Sequence, residues 1–163
     1  MTKRCATLAA AILLVATSGL AQTGRRAGGR GRGASGITIG AVEIPRGRNM
    51  ECSCGFRSVL AGSTSPTRVF ISEVGNAVGS KAWMNVNGQV RTLSLTGRTE
   101  PAKPLKVGSR WVQTYSGDGI NVRVTLSIEP PYPSLGDSMN YSAILTVTMG
   151  DRRRTLKASG ACC

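Results

Sequence analysis

The chain has no histidine, eight acidic residues and few aromatics, at 4% of its 163 residues. Each shortage removes chemistry. Without histidine, a serine or cysteine nucleophile lacks its commonest base, and the imidazole sites usual for zinc and copper are gone. Glu43, Glu51, Glu73, Glu100, Asp118, Glu129, Asp137 and Asp151 are the whole acidic supply, and no local spacing unites two of them in a carboxylate-pair motif. Phe56, Phe70, Trp83, Trp111, Tyr115, Tyr132 and Tyr141 suffice for a core but do not support a stacking platform for nucleic acid or sugar. The apolar run from Cys5 to Val15 is well below the 18 or so residues of a spanning helix. These absences lead to an expectation of no catalytic residue, no metal, no cofactor, no transmembrane span and no nucleic-acid partner.

What is present begins with export. Met1-Thr2-Lys3-Arg4 is cationic, the apolar run follows, and Gly19-Leu20-Ala21 offers small residues for cleavage after Ala21. That is the pattern of a secretory signal peptide over residues 1–21. No cysteine stands at the cleavage point, so the expected product is a free periplasmic or extracellular chain starting at Gln22.

Cleavage also resolves the cysteine count. Five cysteines become four once Cys5 leaves, and Cys52, Cys54, Cys162 and Cys163 form an even set in an oxidising compartment. Bridges within Cys52-Ser53-Cys54 or between adjacent Cys162 and Cys163 would need strained geometry. The expectation is two bridges joining the first pair to the last, with both cross-pairings open. A rival reading makes the four thiolates a soft metal site. Cys-x-Cys with a vicinal pair is not the usual zinc spacing, however, and oxidation would consume the thiols.

Residues 22–36 read as a Gly/Arg-rich linker with no large apolar side chain. Its Arg25, Arg26, Arg30 and Arg32 are candidate anion contacts, as is the cluster Arg152-Arg153-Arg154. On a strand, Arg152 and Arg154 share one face and Arg153 takes the other. The formal net charge of +13 favours acidic partners and disfavours cationic ones. The glycine-rich stretch lacks the preceding strand and following helix of a phosphate-binding loop.

From Ile37 to Cys163 the chain reads as a single all-β domain. Ile37, Ile39, Val42 and Ile44 suggest a first strand, and Arg68–Ser72 a second. Asn87-Gly88 between two strand-like runs is a hairpin signal, with a two- or three-residue loop open. The three-residue form would pair Trp83 with Leu93. Ser116-Gly117-Asp118-Gly119 marks another turn. In the strand after it, Val122, Val124, Leu126 and Ile128 alternate with Arg123, Thr125 and Ser127, as in a half-buried strand. Tyr141 to Met149 alternates again, and Arg153 to Ala158 closes the series. Seven or eight such strands suggest an antiparallel sandwich or small barrel.

The set Cys52-Ser53-Cys54-Gly55-Phe56, Val69-Phe70-Ile71-Ser72, Ala82-Trp83-Met84-Asn85-Val86-Asn87-Gly88 and Gly160-Ala161-Cys162-Cys163 resembles uncharacterised exported bacterial proteins with a small β domain. The resemblance covers about residues 50–163, implies export and a β fold, and brings no activity. In architecture the chain is also similar to small periplasmic lysozyme inhibitors, which carry an S-G-x-x-Y motif. Here Ser116-Gly117-Asp118-Gly119 is followed by Ile120, and the basic charge is wrong for a cationic target. The functional expectation is a non-enzymatic binding or envelope-associated module for anionic envelope components or an acidic protein, with a hydrolase inhibitor or a thiolate metal protein as alternatives.

Overall fold

Alternation along Ile120–Glu129 places Ile120, Val122, Val124, Leu126 and Ile128 on one face, and all five are buried. The same rule repeated on neighbouring strands curls the sheet around a shared apolar interior. The computed structural model describes residues 36–44, 46, 53–74, 77–130 and 139–162. In chain order the strands are β1 Ile39–Gly40, β2 Ser53–Val59, β3 Pro66–Glu73, β4 Lys81–Val86, β5 Gln89–Arg98, β6 Arg110–Gly117, β7 Ile120–Glu129, β8 Met139–Met149 and β9 Arg152–Cys162.

Every pairing is antiparallel, in the order β4-β3-β2-β9-β8-β7-β6-β5 with β5 returning to β4. The result is a closed eight-stranded barrel, in which each of the eight strands pairs on both sides. The short β1 lies beside the far end of β4, beyond the point where β4 stops pairing with β3 at Phe70–Met84. Register shifts leave Val69 of β3 and Thr96 of β5 as extra residues opposite their partners, and these bulges bend β3 and β5.

Turn chemistry fixes the register. Asn87 and Gly88 both take positive φ, and Val86 pairs with Gln89. The loop therefore has two residues, and Trp83 lies opposite Thr92, not Leu93. Asp118-Gly119 is a second turn of the same kind, so Ser116 and Gly117 belong to β6. In Gly150-Asp151 only the glycine takes positive φ.

The interior is filled from all eight barrel strands, including Phe56, Phe70, Met84, Leu95, Tyr115, Leu145 and Ala158. Tyr115 meets Phe70 edge-on at 5.3 Å, and Trp111 meets Tyr141 edge-on at 5.4 Å. Segment 36–44 is worked into this core from outside the ring. Ile37 and Ile39 join the main interior, whereas Val42 packs with Ile71 and Trp83 on the outer side of β3 and β4. The expected strand through Val42 and Ile44 is thus only Ile39–Gly40, because the chain then leaves β4 and crosses β3, where Val42 N–H donates to the Arg68 carbonyl. Strand β2 was not expected from its sequence, and β9 runs four residues beyond the expected Ala158.

Candidate functional site

The cysteine staple lies where β2 begins and β9 ends. Register places Cys54 opposite Cys162, and their sulfurs are bonded, joining residues 108 apart. One of the two expected cross-pairings is thereby selected. Cys52 and Cys163 lie outside the described residues. The bond consumes two of the four thiolates that a soft metal site would need.

The arginine cluster is divided by strand geometry. Arg154 turns towards the barrel interior side, and its Nη1 donates to the Ile37 carbonyl at 2.8 Å, pinning the incoming chain at the barrel end. Arg152 shares that face, as alternation requires. Arg153 points outward in a row with Thr148 and Asn121. Arg25, Arg26, Arg30 and Arg32 lie outside the described residues.

Strand order then assembles a basic surface that the sequence does not show as a cluster. The outward positions of β6 to β9 carry Arg110, Arg123, Arg153 and Lys157 among Ser127, Ser142, Thr125, Thr146, Thr148 and Thr155. Glu129 is the acidic side chain of this wall among the described residues, and its Oε1 accepts from the Ser142 hydroxyl at 2.6 Å. Elsewhere Glu73 accepts from Lys81 N–H and Asp118 from Thr92 N–H, while Glu100 pairs with Arg98. These four acidic groups are thus engaged at turns, strand ends or a neighbouring hydroxyl, and the wall's cations face outward beside hydroxyls. Alternation alone put Arg123 outside; its grouping with Arg153 and Lys157 needed the barrel order.

A groove opens on the same outer surface where small residues meet long ones. Glu129, Asn140, Ala161, Gly55 and Ile71 form one row across β7, β8, β9, β2 and β3. In the adjacent row stand Ser159, Arg57 and Arg68. Ala161 and Gly55 leave a lane beneath the arginine side chains, part of a groove of about 670 Å³. Arg68 leans over the floor, with Nε 3.6 Å from where a Gly55 Cβ would stand. Asn140, 7% exposed, lines the groove, and its Nδ2 has no hydrogen-bond partner. Nothing in the sequence around Asn140 signals this.

Tyr141 lines the groove as well, but its register with Ile128 and Gly160 belongs to the interior set. Burial raises its phenol above the usual tyrosine value, and its hydroxyl contacts Met139 Sδ. Tyr115 is raised by burial too, partly offset by a hydrogen bond with Ser72.

Among the described residues no group of three or more His, Cys, Asp or Glu side chains is placed to hold a metal ion, and no helix is long and apolar enough to cross a membrane. Comparison with protein-family models, with curated proteins and with solved structures finds no match to this chain.

Proposed function

We propose that the protein is an exported, non-catalytic binding module for anionic surfaces. The observation that carries the reading is the wall of β6 to β9, where Arg110, Arg123, Arg153 and Lys157 stand among hydroxyls with Glu129 as the acidic side chain. Guanidinium groups and hydroxyls are the donors that phosphate and carboxylate groups accept from. An apolar interior and a polar exterior are the inverse of a lipid-spanning barrel, so this wall meets water and solutes. The signal-like first 21 residues and the basic balance support the same reading.

The test is binding of the chain from Gln22 to vesicles containing anionic phospholipid, across a salt series, with and without residues 22–36. Binding at low salt that fades at high salt is expected in both forms. Replacing Arg123, Arg153 and Lys157 by glutamine should weaken it about a hundredfold, at about 1 kcal/mol per cation near an anionic surface. Loss on truncation alone would assign binding to the arginine tail. Equal binding to zwitterionic vesicles, or no binding, would overturn the proposal.

A further inference from the structure

Three observations at the groove concern a ligand more discrete than a charged surface. Arg57 and Arg68 sit directly opposite each other on β2 and β3. Like charges so placed repel, unless an anion lies between them. Asn140 Nδ2 is a buried donor with no acceptor, which carries a free-energy cost that an incoming carbonyl would relieve. The floor between them, Ala161 and Gly55, is open. From β7 to β3 the lane spans four strand spacings, about 19 Å, the length of five or six extended residues. Tyr141 is the aromatic residue that lines it among the described residues, and its register belongs to the interior set, which disfavours stacking on a sugar ring. Glu129 at the far end gives the lane a polarity.

We propose that this groove binds an extended acidic peptide segment. Its carboxylates lie between Arg57 and Arg68, a main-chain carbonyl accepts from Asn140 Nδ2, and an amine or basic side chain lies towards Glu129. The site is separate from the outer-wall cations and stands or falls independently of vesicle binding.

The probe is the end-blocked pentapeptide Lys-Ala-Ala-Glu-Glu, titrated into the chain from Gln22 by calorimetry while the Asn140 side-chain amide is followed by NMR. Binding that shifts the Asn140 amide is expected, at least tenfold weaker for the Gln-Gln version of the peptide. Arg68→Gln should weaken binding at least tenfold without lowering the unfolding midpoint, since it removes a repulsion. Gly55→Leu should fill the lane and abolish binding. A Gly55 Cβ meets only ordinary contact with the Arg68 side chain, and an unchanged unfolding midpoint of the variant checks that the fold is kept. The Arg123, Arg153 and Lys157 replacements should leave peptide binding unchanged, which separates this result from the vesicle result. An unmoved Asn140 amide, equal affinity for the uncharged peptide, or arginine-dependent binding of oligogalacturonate in place of the peptide would overturn the proposal.

Discussion

Gly160 of β9 and Gly55 of β2 are diagonal neighbours one register step apart, on opposite faces of the sheet, and they differ in what they tolerate. A Cβ on Gly160 would overlap the Gly55 carbonyl, backbone that cannot move aside, whereas a Cβ on Gly55 meets only the end of Arg68. Gly160→Ala is therefore expected to cost about 3 kcal/mol or more, the high end for overpacking, or to prevent folding. Gly55→Ala should lie within about 0.5 kcal/mol of the parent. Urea unfolding of both variants checks the contrast. Tyr115 gives a pH prediction. Burial raises its folded value above the usual value of about 10. Above pH 10 the unfolded chain has therefore lost a proton that the native state keeps, so stability falls as pH rises. The melting temperature of the parent should drop more steeply above pH 10 than that of Tyr115→Phe.

At the scale of elements, the barrel end near the β4–β5 turn depends on segment 36–40. Asn87 N–H donates to the Thr38 carbonyl, and the Asn87 Oδ1 accepts from Thr38 N–H and hydroxyl. Ile37 is 3% exposed, and its carbonyl takes the Arg154 guanidinium. Ile37→Ala is expected to cost about 3 kcal/mol through lost burial and the cavity left behind. Asn87→Ala should cost about 2 kcal/mol, since it removes an acceptor and favours the turn's positive φ less well. Both are read from denaturant midpoints. Elements were legible where one face was apolar throughout, as in β7 and β8. Strand β2 was obscured because its interior set is Cys54, Phe56 and Ser58, of which only the middle one reads as apolar core. Its alternation is kept across Phe56, Arg57 and Ser58, because the extra residue of the register shift lies on β3, but a serine at the inward position hides it. The groove was invisible for a different reason: Asn140, Ala161 and Gly55 belong to three strands, and only pairing puts them in one row.

For the whole molecule, the staple is the clearest energetic claim. Tying Cys54 to Cys162 closes a loop of about 110 residues, which chain entropy values at about 4–5 kcal/mol. Reduction should lower the unfolding free energy towards that amount, measured in urea with and without reductant. With Cys54 committed, Cys163 is the partner left for Cys52, and a non-reducing peptide map is expected to recover both bridges. The map would also show whether the chain starts at Gln22.

The seam between β2 and β9 has a further consequence. All seven other contacts around the ring join neighbours in sequence, but this one joins the ring's first strand to its last. A polypeptide delivered N-terminus first, from a ribosome or through a translocation pore, can pair its hairpins as they emerge. It cannot close the ring until β9, Arg152–Cys162, is free. The topology therefore acts as a timer, keeping the chain threadable until β9 has been delivered.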